Sequence, residues 1–151
     1  MSQEDVELVI GVFAAALQEV GHVEMRAMIE DDGVWARNAA RFSPDVKVRF
    51  VTPRAGGVTV MEQAFEGIEG LREGWREWLK PWDEFHVVME DVPDSGQGDV
   101  LVLAQATGRM RGTEAEVPQE VAALCRVERN RIVEIGFYLD QGQARRDAGL
   151  G

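Results

Sequence analysis

Two long runs, Val100 to Arg111 and Val121 to Asp140, carry alternating strand patterns. A period of two sends successive side chains to opposite faces of a sheet. Backbone in runs this long must find strand partners, so the back half of the chain is expected to form one continuous sheet. The front half has a different period, with apolar residues three and four apart. Helices followed by a meander of strands describe a curved sheet wrapped around helices, a shape that encloses a pocket.

Ser2 and Asp5 open the first helix as a capping pair, and Val6, Val9, Ile10, Phe13 and Leu17 mark its buried face up to Gly21. A second helix carries Val23, Ala27 and Met28 and ends or bends at Gly33. Trp35, Ala39 and Phe42 keep helical spacing through a short third piece closed by Ser43-Pro44. Val46, Val48 and Phe50 alternate with Lys47 and Arg49, which predicts a half-buried strand. A loop with Pro53, Gly56 and Gly57 follows, then a short strand from Val58 to Met61. Ile68, Leu71, Trp75, Trp78, Leu79 and Trp82 form the clearest helical stripe, stopped by Pro81. Phe85, Val87 and Met89 then begin the strands, with turn chemistry at Pro93 to Gly98, at Gly112-Thr113 and at Arg129-Asn130. A short polar helix, Gln141 to Ala148, closes the chain.

At 151 residues, without a linker or an internal repeat, a single domain over 1–151 is expected. A formal charge of −11 argues against nucleic acid, which demands clustered Lys and Arg, and against an anionic membrane surface. Cys125 is the sole cysteine, which fits a reducing compartment. The start, Met1 to Asp5, is acidic and unlike a secretory signal, so a cytoplasmic location is expected.

Three stretches carry a family resemblance: Glu4 to Val9, Phe65 to Arg72 leading into Trp75 and Trp78, and Arg131 to Ile135 continuing through Tyr138-Leu139-Asp140 towards Ala148-Gly149-Leu150. With the element order, they resemble the NTF2-like superfamily, in its SnoaL-like and ketosteroid-isomerase-like branch. The chain departs from the family between Asp31 and Ser43, where members pass more directly from helix to strand. The resemblance implies an α+β cone, a curved mixed β-sheet of five or six strands around about three helices. It says less about chemistry, because this fold hosts isomerases, cyclases, hydrolases and non-catalytic members.

The isomerases of that branch pair an aspartate base with a tyrosine and a protonated acid. Their pattern places Phe13 at the tyrosine, Phe50 at the base and about Ala123 at the second acid, and none of these can move a proton. Steroid isomerisation by that route is therefore not expected. SnoaL-type cyclases use a late acidic residue, and Asp140 is the position that resembles it. Asp140 also directly precedes a helix, where an aspartate caps free N–H groups, and the cap is the stronger reading.

His22 and His86 lie far apart and show no metal-ligand spacing. No metal or cofactor is implied. Cys125 lies on an apolar strand face and reads as a buried inert thiol. An aromatic wall opposite small residues would line a ligand cavity, with Phe13, Trp35, Phe50, Trp75, Trp78, Ala123, Cys125 and Phe137 as its candidates and Gly136 adding space. Gln105, Asn38 and Asp140 are the candidate catalytic or orienting groups, with Arg109 at a rim. Strand parity groups Gln105 with Leu101 and Leu103 and makes an inward Gln105 credible.

Two functions follow as expectations. One is an enzyme acting on a small apolar molecule, of a carbonyl or polyketide-like kind, inside the cone. The other is a non-catalytic ligand-binding or dimerisation module. A homodimer packed through the strands is expected in either case, because the apolar outer face of so long a sheet needs cover.

Overall fold

A computed structural model of the chain describes residues 3–4, 6–9, 23–24, 29–53, 60–93 and 99–149. Its described strands form a seven-stranded sheet in the order β1-β4-β5-β6-β7-β2-β3. They are β1 (Val23–Glu24), β2 (Phe42–Pro53), β3 (Val60–Glu66), β4 (Trp82–Asp91), β5 (Val100–Met110), β6 (Glu116–Glu128) and β7 (Arg131–Tyr138). Neighbours are antiparallel except β2 and β7, which run parallel, so the sheet is mixed. Register shifts interrupt β2 between Phe42 and Lys47, β4 on both sides of its centre, and β6 at Arg126/Val127. Each extra residue bends its strand and sharpens the twist, which curves the sheet.

The helices are α1 (Asp32–Ala39), α2 (Gly67–Leu79) and α3 (Gln141–Asp147), and residues 3–4 and 6–9 are also helical. Asp31 caps α1 by accepting from Val34 N–H at 3.0 Å. In α2, Leu71, Trp75 and Leu79 are buried, and the helix lies along β2. Arg72 ties α2 to the start of α1, donating to the Ile29 carbonyl at 2.9 Å and to Asp32 at 2.8 Å, with its guanidinium 5.4 Å over the Trp35 ring.

The two faces of the sheet carry two cores. The concave face packs Val48, Phe50, Val102, Ala104, Ala123 and Ile135 against α2. On the convex face Val51, Leu101, Leu103, Ala122, Leu124 and Tyr138 are covered by Ala144 and Ala148 around α3. The Tyr138 hydroxyl donates to Asp147 at 2.7 Å and fastens the helix there. This part of the outer apolar face is therefore covered within the chain, so the burial that a dimer was expected to provide is already in place there.

Several local expectations change. Val23 lies in a strand paired with Val87, not in a helix, and Ala27 and Met28 lie outside the described residues. Phe42 starts β2 rather than ending a helix; Pro44, which lacks an N–H for the ladder, falls where the register shifts. Trp82 opens β4 and packs on Phe85 at 5.4 Å, because the chain turns at Lys80-Pro81. The strand expected from Val58 to Met61 runs on to Glu66, and β6 begins earlier than Val121, at Glu116. β1 brings the described total to seven strands instead of five or six. The Arg129-Asn130 turn has φ of 50° and 62°, the backbone expected of a two-residue hairpin loop.

Gly74 marks the closest approach of α2 to the sheet, since a Cβ there would lie 2.5 Å from a ring carbon of Phe50 and 3.0 Å from Phe65. In an open helix interior, Gly→Ala gains about 0.5–1 kcal/mol. Here overpacking outweighs that gain: Gly74→Ala is expected to lower stability by about 1–3 kcal/mol. Urea denaturation measures it, and a raised midpoint would show that α2 is not seated on Phe50.

Candidate functional site

Phe50 projects from β2 into the centre of an aromatic cluster. Its ring centroid lies 5.0 Å from Phe137, 5.3 Å from Trp78, 5.5 Å from Trp75 and 5.8 Å from Phe65. The Trp75 and Phe65 contacts are edge-to-face, the orientation in which a positive ring edge meets a negative ring face. The helical repeat of α2 supplies both indoles; β-sheet register supplies the phenylalanines, because Phe50 pairs directly with Phe137 and Phe137 with Ala123.

Beside this cluster lies a cavity of about 40 Å³ whose walls include Trp75, Trp78, Phe85, Val87, Val102, Ala104, Val121, Ala123 and Phe137. The short Ala104 and Ala123 side chains leave the space opposite the indoles. One water needs roughly 10–15 Å³ and pockets for drug-sized ligands begin near 300 Å³. The cavity thus admits a few atoms, and a larger guest must displace side chains.

Polar groups are sparse and unpaired. Among the described residues, the buried Trp78 Nε1 and Gln119 Oε1 have no hydrogen-bond partner. Trp78 is in the cavity wall itself. Gln119 pairs with Ala106 across β5 and β6 and shares strand parity with the cavity residues Val121 and Ala123. Sequence reasoning passed over Gln119, although that same parity carried the signal. Tyr138 also borders the cavity, but its side chain belongs to the convex core and its hydroxyl donates to Asp147. Burial, with a smaller contribution from Asp99, pushes the Cys125 thiol well above its ordinary range, so it stays protonated.

Of the residues expected around a cavity, Trp75, Trp78, Ala123 and Phe137 come together there. Phe50 stands behind the wall in the aromatic cluster, while Cys125 is fully buried elsewhere in the concave core. Trp35 packs under Arg72 instead, and Phe13 and His22 lie outside the described residues. Gln105 is on the convex face, donating to Glu90 at 2.8 Å. Gln105 does share a face with Leu101 and Leu103, but that face is the outer core under α3, not the inner one. Gly136 is also convex: its missing side chain makes room for Arg49 and Tyr138 rather than for a guest. Arg109 and His86 both meet Glu84, at 3.3 and 3.4 Å. Asn38 is buried in α1, away from the cavity wall, and neither of its side-chain polar atoms has a partner among the described residues. Asp140 caps α3, accepting from the Gly142 and Gln143 N–H groups at 2.8 and 3.3 Å.

A family model for the SnoaL-like domain matches residues 22–135. The chain belongs to that family. No curated protein matches it significantly. Solved structures share the fold at low identity. A protein named as a SnoaL-like polyketide cyclase from Jannaschia sp. CCS1 is 20% identical, with 95% of this chain and 92% of that one covered and a TM-score of 0.62. An LEH-like epoxide hydrolase from M. tuberculosis is 16% identical, with coverages of 93% and 86% and a TM-score of 0.53. A protein from Catenulispora acidiphila with a ketosteroid isomerase-like fold, solved with trimethylamine, is 18% identical, with coverages of 91% and 92% and a TM-score of 0.54. These likenesses establish the NTF2-like α+β cone of this SnoaL-like protein. The family includes enzymes, and no named homologue close enough to assign a reaction is among the matches.

Two outcomes follow from the site. Folded protein at about pH 8 is expected to leave Cys125 unmodified by iodoacetamide, with full alkylation once urea exposes it; rapid labelling of the native state would contradict the burial. Asp140→Ala is expected to cost about 0.5–2 kcal/mol of stability, read by thermal or urea unfolding.

Proposed function

We propose that this SnoaL-like protein binds a small, largely apolar molecule in the cavity beneath Trp75 and Trp78, with an acceptor oxygen facing the Trp78 N–H. The observation that carries this reading is the unpartnered Trp78 Nε1 in an apolar cavity wall. Leaving a buried donor unmade costs about 1–3 kcal/mol, so a guest with a carbonyl or ether oxygen recovers that loss where a hydrocarbon cannot. Apolar walls contribute the rest of the affinity by desolvation. The volume favours compact guests such as small cyclic ketones, and bulkier ones require Trp78 or Phe137 to rotate.

Binding without chemistry is the first reading, because the cavity wall, among the described residues, offers no carboxylate or imidazole in reach of such a guest. Catalysis on a carbonyl compound is the second, favoured by the cyclase and hydrolase named among proteins of this fold. In that case polarisation of the carbonyl by the indole N–H is the contribution this wall makes.

Titration of tryptophan fluorescence with cyclopentanone and with cyclopentane tests the proposal. The ketone is expected to bind more tightly, by about tenfold for one net hydrogen bond. Trp78→Phe keeps the apolar wall and removes the donor, so the preference is expected to collapse while the fold, followed by circular dichroism, persists. Equal affinity for ketone and hydrocarbon in the unaltered protein sinks the reading.

A further inference from the structure

Register across the concave face puts Gln119 within the span of the cavity wall. Val87 on β4 stands opposite Ala106 on β5, and Ala106 stands opposite Gln119 on β6. On one side of that row is Phe85, and on the other are Ala104 and Val121; these three and Val87 all line the cavity. Val121 is two residues along the same strand, about 7 Å away at the usual rise. The Trp82 ring lies over Gly108 and closes the row of Phe85. Beside Gln119 itself the strand offers only the methyl group of Ala106. The Gln119 Oε1 is buried there, and it and the Trp78 Nε1 are both without a hydrogen-bond partner among the described residues. The two orphans are opposite in kind, since the indole N–H only donates and the amide oxygen only accepts. A leucine at position 119 would satisfy packing without burying an unmatched acceptor, so the oxygen works against the stability of the fold.

We propose that Gln119 is the second polar contact of the cone and selects guests that carry a hydrogen-bond donor as well as a carbonyl, an inference that rests on the cavity being a guest site. The donor is a neutral O–H or N–H. An ammonium group would shed its water among indoles and alanines, and the cavity wall, among the described residues, holds no carboxylate to compensate. The class so defined is the compact hydroxy ketone or lactam. Its carbonyl oxygen accepts from the Trp78 N–H, and its hydroxyl or amide N–H donates to the Gln119 oxygen. Selection of this kind is steep, because a guest without the donor leaves the buried oxygen unmatched in the complex as well.

The test follows tryptophan fluorescence of the full chain with four five-membered rings: cyclopentane, cyclopentanone, 3-hydroxycyclopentanone and 2-pyrrolidinone. The better of the two bifunctional guests is expected to bind about tenfold more tightly than cyclopentanone. In Gln119→Leu that order reverses, because the guest's donor is then buried against hydrocarbon. The preference for cyclopentanone over cyclopentane, which reads Trp78, is unchanged in that variant. Gln119→Met, equal in length to glutamine, is expected to give the same reversal if leucine disturbs the wall. Both variants are expected to unfold at a urea concentration no lower than the unaltered protein does, since what they remove is an unmatched acceptor. Bifunctional guests that bind no better than cyclopentanone overturn the inference, and so does a preference that survives in both variants. Variants that unfold well below the unaltered protein also overturn it, because the amide oxygen is then satisfied within the fold. Cyclopentanone bound no better than cyclopentane overturns the reading of Trp78 alone, while the Gln119 comparison still decides this one; failure of all four to bind overturns both.

Discussion

Everything in the concave half of this molecule depends on how closely α2 can lie against β2. Gly74 gives the helix no side chain at the point of contact, so Phe50 reaches under it and gathers Trp75, Trp78, Phe65 and Phe137 around one ring. Aromatic edges and faces pack against one another there. What remains open is the strip where the opposing wall carries alanine instead of a larger side chain. The cavity is thus a residue of packing: its position is set by the indoles and its size by Ala104 and Ala123.

The sheet separates two kinds of chemistry. Its inner face is apolar, and burial there keeps Cys125 protonated and leaves the Trp78 N–H without a hydrogen-bond partner. Its outer face is divided between an apolar part closed by α3 and a charged part open to solvent. Tyr138 belongs to the closed part, and its bond to Asp147 explains why a short polar helix stays seated on the sheet.

Much of this was legible in advance. The period-two runs gave the strands, the Trp75-Trp78 stripe gave the principal helix, and the pairing of Asp140 with the start of α3 was readable as a cap. Boundaries failed where local spacing fitted two structures at once: Phe42 and Trp82 continue a helical stripe in sequence but begin strands in space. The candidate site was half legible. Trp75, Trp78, Ala123 and Phe137 followed from residue type and parity, whereas Gln105 and Gly136 were placed in the wrong compartment.

The reason is that alternation tells which residues share a face and is silent on which face is inside. In β5 both sets are apolar over Val100 to Leu103, since each face has a core of its own. By itself the sequence determined the elements, their parity and the family-level shape, because these rest on neighbours a few residues apart. Only the tertiary structure decided that α3 covers the convex side and that Gly74 admits Phe50. Those facts depend on contacts between segments far apart in the chain, and no local period encodes them.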